Sequence, residues 1–254
     1  MNRFFQLILI ILIGLTGNAQ PFSPVSYVNP LMGTQSKYEL STGNTYPAIG
    51  RPWGMNLWTP QTNKMGDGWG YQYQANKIVG FKQTHQPSPW INDYGYFTIM
   101  PTVGKQVFKE SERASWYSHK AEIAQPHYYR VYLADWDVTT EMAPTQRAAS
   151  FRFTFPQTDQ ANIVIDAIDK GSYIKIIPSE NKVIGYSTRN SGSVPENFKN
   201  YFVIYFDKKM DDAKAWDDGK FSDARELKSN HTGAVISFKG LKRGDVVHAR
   251  IASS

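Results

Sequence analysis

The chain has 254 residues, no cysteine and a net charge of +6, with 41% hydrophobic and 20% charged residues. The missing cysteines exclude disulfides, thiolate zinc sites and a lipid carried on an amino-terminal cysteine, and the length is enough to bury a full core. Lys and Arg are scattered among acidic residues with no long basic run, so the pI near 9.3 reads as a solvated surface and argues against nucleic acid as a partner.

The chain opens with Arg3, an apolar run from Phe4 to Leu15, and then Thr16-Gly17-Asn18-Ala19-Gln20. These are the three parts of a secretory signal peptide, residues 1–19, set aside from the fold. The run is shorter than the ~20 residues that span a bilayer, so the mature chain, residues 20–254, is expected secreted or periplasmic and free of the membrane. A retained anchor is the competing reading.

Up to about residue 100 the sequence is rich in Gly, Pro, Asn and Trp. Its most informative stretch is Gly80-Phe81-Lys82-Gln83-Thr84-His85-Gln86-Pro87-Ser88-Pro89-Trp90-Ile91-Asn92-Asp93-Tyr94-Gly95, read as a loop. Pro87 and Pro89 fix φ and withdraw two backbone donors, so His85, Trp90 and Asp93 are presented from a stiff turn. An indole face covers the C–H patch of a pyranose while carboxylate, imidazole and amide groups take its hydroxyls; the loop therefore reads as a carbohydrate site. Aromatics make up 14% of the chain and divide between such contacts and plugs in a large core.

From Tyr128 onward the pattern becomes short β-rich runs: Tyr128 to Leu133, Val138 to Ala143, Ser150 to Phe155, Ile163 to Ile168, Tyr173 to Ile177, Val183 to Ser187, Tyr201 to Phe206, Ala234 to Phe238 and Val246 to Ile251. Turn residues separate most of them, which predicts an all-β fold, one antiparallel β-sandwich domain over residues 20–254. In the meander from Tyr128 to Phe155, Thr140, Arg147 and Arg152 are expected on the outward face. Met210 to Ala215 is expected to form a brief helix, and Ser187 to Lys199 an exposed loop. The last residues, Gly244 to Ser254, read as a strand with no terminating turn, and the chain is expected to be cut short there.

Hydrolysis of a glycosidic bond with inversion needs two carboxyl groups roughly 6.5–9.5 Å apart, and no convincing pair stands out, so no catalytic residue is assigned. Glu122 and Glu141 fall in β-pattern segments and are expected to be structural partners of residues such as Arg147. Asp67 lies in a Gly-rich turn that favours Asp for backbone reasons. His119 and Glu122, three apart on an expected strand, would point to opposite faces, and no metal site is assigned to this chain. No G-x-S-x-G elbow, P-loop or dinucleotide fingerprint is present.

Several blocks stand in order along the chain: Tyr27-Val28-Asn29-Pro30-Leu31-Met32-Gly33-Thr34, Gly43-Asn44-Thr45-Tyr46-Pro47, Arg51-Pro52-Trp53-Gly54-Met55-Asn56-Leu57-Trp58-Thr59-Pro60, Gly66-Asp67-Gly68-Trp69-Gly70-Tyr71, the His85 loop, and His119 to Val131. Together they resemble the amino-terminal domain of the family 92 glycoside hydrolases, secreted calcium-dependent exo-α-mannosidases of bacteria. The resemblance implies that this sandwich packs on an (α/α)₆ catalytic barrel absent from the sequence, with the acid, the base and most calcium ligands on that barrel. It implies a mannose-containing glycan as substrate, with Gly68, Trp69, His85, Trp90 and Asp93 at the substrate pocket, Trp69 and Trp90 stacking and Asp93 and His85 making polar contacts. The chain alone is then expected to be inactive. Pro-Ser-Pro-Trp stands where other members carry a Ser-Gly type turn. The alternative is a stand-alone carbohydrate-binding β-sandwich module; a structural or interaction sandwich with no sugar affinity is the third.

Overall fold

The alternation after Tyr128 does produce strands, and pairing extends them into the region before it. A computed structural model describes residues 22–35, 45–62, 70–85 and 94–254. Among these residues, β1 (Leu57–Gln61), β2 (Lys77–Ile78), β3 (Gly80–Thr84), β4 (Thr98–Val103), β5 (Ser115–Trp116) and β6 (Ile123–Gln125) precede Tyr128. The meander follows as β7 (Tyr128–Leu133), β8 (Val138–Pro144) and β9 (Ala148–Thr154), then β10 (Ala161–Asp166), β11 (Ser172–Ile177), β12 (Lys182–Ser187) and β13 (Asn200–Phe206). The chain ends through β14 (Asp212–Asp217), β15 (Lys220–Ser222), β16 (Glu226–Ser229), β17 (Thr232–Phe238) and β18 (Val246–Ser253). One four-residue helix, α1 (Glu110–Arg113), and three 3₁₀ turns complete the described residues, and no described helix is long and apolar enough to cross a membrane.

All pairings are antiparallel and form a seven-stranded sheet, β1-β3-β4-β10-β17-β14-β15, a nine-stranded sheet, β16-β11-β12-β13-β18-β9-β8-β7-β6, and a small two-stranded sheet, β2-β5. The two large sheets share one core. Rings bridge them: Trp58 on β1 meets Phe151 on β9 edge-on at 5.1 Å, and Phe206 on β13 meets Phe238 on β17 at 5.6 Å. Each such ring, removed from water, contributes about 1.5–3 kcal/mol of transfer free energy, which is why the period-2 pattern fixes register so firmly.

The sheets differ in their second faces. Strands β7 and β9 alternate buried and exposed residues, so one face of the nine-stranded sheet meets solvent. Strands β3, β10 and β17 are buried throughout. In register, Asn162 faces Ser237 and Asp166 faces Gly233 on one side of the seven-stranded sheet, while Ile163 faces Ile236 on the other. The polar side lies beneath the segment carrying α1 and is closed by Trp216 of β14. Gly233 is required there, because a Cβ would stand 2.3 Å from the Trp216 ring.

Pro101 falls inside β4, a central strand, yet β4 pairs with β3 only through Thr98 and Ile99. The ladder is already open where proline brings no N–H.

Four sequence expectations are corrected. Met210 to Ala215 does not make a helix: Asp212–Asp217 is β14, paired along β17, with Ala213 and Ala215 buried at strand period. Thr140 belongs to the inward face of β8, fully buried between the positions of Val138 and Met142. Gly80–Thr84 is strand β3, so the predicted loop starts only at His85. His119–Ala121 is a 3₁₀ turn that brings His119 onto Glu122 instead of parting them. The loop after Ser187 is exposed from Ser191 to Gly192 onward, though Arg189 at its root is buried.

Candidate functional site

Three of the four segments outside the described residues, 36–44, 63–69 and 86–93, have bases held by hydrogen bonds; because β1 and β3 are antiparallel, with Gln61 opposite Gly80 and Leu57 opposite Thr84, the 63–69 base lies at the Gln61 end of that pair and the 86–93 base at the Thr84 end. Thr45 N–H donates to Gly33 O at 3.2 Å, Thr62 N–H to Gly70 O at 2.9 Å, and His85 Nδ1 lies 2.9 Å from Tyr94 O. The bases also join one another. Tyr73 N–H donates to Thr34 O at 3.0 Å, and Tyr46 Oη is 3.1 Å from Thr84 Oγ1.

Beneath the 86–93 base runs a buried amide chain. Asn56 Nδ2 donates to Ser253 Oγ at 3.0 Å, Gln83 Nε2 donates to the same oxygen, and Asn200 Nδ2 donates to Gln83 Oε1 at 3.4 Å and to Gly95 O. Gln83 is fully buried, as Asn56 and Asn200 nearly are. Asn56 Oδ1 has no hydrogen-bond partner among the described residues, but the amide donors of all three side chains are bonded, so the segment entering β1 is tied to β3, β13 and β18 under the 86–93 base. Two cations share the Tyr96 ring: Lys82 Nζ at 4.0 Å from its centroid and Arg189 Cζ at 5.8 Å. Lys82 is 4% exposed, a depth at which a lysine needs cation–π or ionic partners. A Cβ on Gly70 would stand 3.9 Å from its ammonium, so Lys82 lies between the bases of the 63–69 and 86–93 segments.

Sequence reasoning missed Trp53. It is 97% exposed and sits in the left-handed region at φ 60°. The Arg51–Gly54 turn that carries it is closed by Gly54 N–H to Arg51 O at 2.9 Å, and Met55 N–H donates to Gln146 O at 2.7 Å. A large residue at positive φ is uncommon and costs energy, and such strain concentrates at binding surfaces. Because Leu57 pairs with Thr84, this turn opens at the same end as His85. The signal was the tripeptide Pro52-Trp53-Gly54, a turn sequence built around an indole.

Two further polar clusters lie among the described residues. Glu122, with no side-chain exposure, accepts from Tyr129 Oη at 2.5 Å and Tyr71 Oη at 3.3 Å, and its other oxygen meets His119 Nδ1 at 2.5 Å. His119 Nε2 lies 2.7 Å from Tyr73 O, so both ring nitrogens face acceptor oxygens. Burial, then the Glu122 charge, pushes the Tyr71 and Tyr129 hydroxyls far above their usual range, which keeps them neutral donors. Tyr71 directly follows Gly70, so this cluster anchors the segment bearing Trp69. Glu122 and Glu141 are structural partners as expected, though not of Arg147: Glu141 holds Arg152 at 2.5 Å and Tyr128 Oη at 2.5 Å.

In the second cluster, Arg113, fully buried, donates to Val79 O and Phe108 O at 2.8 Å each and to Asp166 Oδ2 at 2.7 Å. Asp166 Oδ1 meets His231 Nε2 at 2.8 Å. Burial alone would raise the Asp166 pKa, but Arg113 and His231 outweigh it and hold the carboxyl below its usual range. Burial opposes charge on His231 as well, and the Asp166 carboxylate overcomes it and raises that pKa.

Of the sequence-predicted site residues, His85 is placed at the base of its loop, with its Nδ1 on the loop's far backbone. Gly68, Trp69, Trp90 and Asp93 lie outside the described residues, and the predicted signal peptide, residues 1–19, does as well.

The sequence model of the glycosyl hydrolase family 92 N-terminal domain matches residues 27–254. Among solved structures, a family GH92 inverting mannosidase from Bacteroides thetaiotaomicron VPI-5482 is similar at 40% identity and a TM-score of 0.86, over 91% of this chain and 31% of its own. A family GH92 α-mannosidase from Bacteroides thetaiotaomicron is similar at 30% identity and a TM-score of 0.78, over 91% of this chain and 33% of its own. The chain thus spans about a third of the length of these relatives. None of the curated proteins matches it.

Proposed function

Because this chain belongs to the glycosyl hydrolase family 92 N-terminal domain family, we propose that it is the sugar-facing sandwich of an exported exo-α-mannosidase acting on mannose-containing glycans. In this reading Trp69 and Trp90 cover the C–H face of the terminal mannose, Asp93 takes hydroxyls, and Gly68 lets the backbone approach. His85 is a positioning residue, since its bond to Tyr94 O sets the span of the 86–93 segment. The observation that carries the reading is the exposed Trp53 turn, which opens beside the base of the 86–93 segment because Leu57 lies opposite Thr84.

The general acid and base are assigned to residues beyond this chain. The two deeply buried carboxylates that the described residues offer, Glu122 and Asp166, are each saturated by internal donors. A carboxylate buried from solvent and committed to three internal donors is not placed to activate a water. Calcium, as the cofactor of the parent enzyme, is assigned in the same way: among the described residues no group of three or more His, Asp or Glu side chains could hold a metal ion. Residues 1–19 are read as the export signal, and the mature domain as secreted or periplasmic.

Release of the aryl group from an aryl α-mannoside tests the division of labour. The 254-residue chain is expected to show no turnover with or without added calcium, and the protein carrying the remainder found in the relatives is expected to turn over. Calcium-dependent turnover by the pure 254-residue chain refutes it.

A further inference from the structure

A cleft of about 490 Å³ opens between the α1 segment and the ends of β10, β14 and β17. Its depth is set by the buried triad. Asp166, itself held by Arg113 and by Ile168 N–H at 3.0 Å, grips His231 through Nε2. Because Nε2 faces a carboxylate, it carries the proton. The remaining nitrogen, Nδ1, has no hydrogen-bond partner among the described residues, and the ring lines the cleft with 28% of its side chain exposed. A carboxylate fixing one nitrogen so that the other serves an incoming group is how an imidazole is prepared as a hydroxyl ligand or proton carrier.

The remaining lining restricts the ligand. Phe108 stacks on Trp216 at 4.9 Å, and the Trp216 ring meets His231 edge-on at 4.8 Å, giving one apolar wall. The rim brings Lys109 and Ser111 together with the carboxylates Glu110 and Asp169. An anion would meet the two carboxylates, and a cation would meet Lys109 and, when charged, His231. A neutral ring with alternating hydroxyl donors and acceptors satisfies both sets at once, with its C–H surface left for the aromatic wall.

We propose that this cleft binds a pyranose, with His231 Nδ1 on a ring hydroxyl, as a sugar position distinct from any made by Trp69 and Trp90. Asp169 links the cleft to the described base of the 86–93 segment: it lines the cleft and pairs with Arg189, which lies over Tyr96 beside Lys82. The proposal rests on the mannosidase reading only for its choice of probe.

The test follows imidazole and indole ¹⁵N signals of the 254-residue chain during titration with methyl α-D-mannopyranoside. The His231 signal is assigned by its loss in His231→Asn. A saturable shift of His231 Nδ1 is expected, retained in Trp90→Ala. If His231 stays unmoved while His85 or the Trp90 indole shifts, this cleft is overturned and the loop pocket stands. If His231 shifts while the loop signals do not, the cleft stands and the loop pocket falls. No shift anywhere overturns the cleft too, as does a His231 shift driven by sodium sulfate and not by the mannoside.

Discussion

Arg113→Met removes the cation from a site where nothing else can replace it at neutral pH. The Arg113 side chain is fully buried and makes three bonds of 2.7–2.8 Å, and its partner carboxylate on Asp166 is 2% exposed. Methionine fills much of the volume, so the loss is chiefly the stranded charge and two orphaned carbonyls. Breaking a buried pair by removing one member costs ~3–5 kcal/mol, or about 6–20 °C in Tm at ~2–4 °C per kcal/mol for a domain of this size. The loss should depend on pH. With Arg113 gone, His231 is the remaining cation against Asp166 and is relieved of the Arg113 repulsion that opposes its charge. Its protonation then restores part of the pairing, so the deficit should shrink as pH is lowered from 8 to 6. Urea unfolding followed by tryptophan fluorescence at several pH values measures this. A deficit under ~1 kcal/mol, or one independent of pH over that range, would refute the account of the triad.

Two further outcomes follow from the described geometry. In the unmodified chain the folded pKa of His231 lies above the unfolded value of about 6.5, so its contribution is complete below that pH and is lost as pH rises through the folded value. Asp166 behaves oppositely, contributing fully above about 3.9 and losing its contribution as pH falls through its depressed value; Tm against pH should therefore fall on both sides of a weakly acidic plateau, and His231→Gln should flatten the alkaline side. Trp53→Gly relieves a left-handed residue that is 97% exposed, so Tm should stay level or rise, by up to ~1 kcal/mol equivalent, while kcat/KM on an aryl α-mannoside in the protein carrying the catalytic remainder should fall; a lowered Tm would show that Trp53 supports the fold instead.

β7, β8 and β9 were legible because each buries one face, and a period of two cannot be satisfied by a helix; β10 and β17, buried on both faces, were legible as short apolar, β-branched runs. β14 was not, since Met210-Asp211-Asp212-Ala213-Lys214-Ala215 carries good helix formers and few β-branched residues, and pairing along β17 overrides that local preference; the short polar strands β15 and β16 carry no apolar pattern to read. β1, β3 and β4 were hidden by Pro60, Pro101 and polar residues such as Lys82 and Gln83, which are unexpected in strands buried on both sides. At the candidate site, the Pro-flanked His85 turn was readable from residue type alone. The Glu122 and Arg113 clusters were not, because the contacts that build them, Tyr71 and Tyr129 on Glu122 and Arg113 and His231 on Asp166, span 7–65 positions and form only through tertiary packing. Trp53 was visible as a motif, but its exposure and positive φ are properties of the folded turn.

The central claim is that the 86–93 segment presents Trp90 to the terminal mannose. Its most direct test is Trp90→Ala in the protein carrying the catalytic remainder, with kcat/KM on an aryl α-mannoside and Tm measured on the same sample. Loss of one aromatic–sugar contact predicts ~1–3 kcal/mol in transition-state binding, tenfold or more in kcat/KM, with Tm nearly unchanged. A Tm lowered by the ~3–5 kcal/mol of an emptied core position, with kcat/KM of the folded enzyme intact, would contradict it.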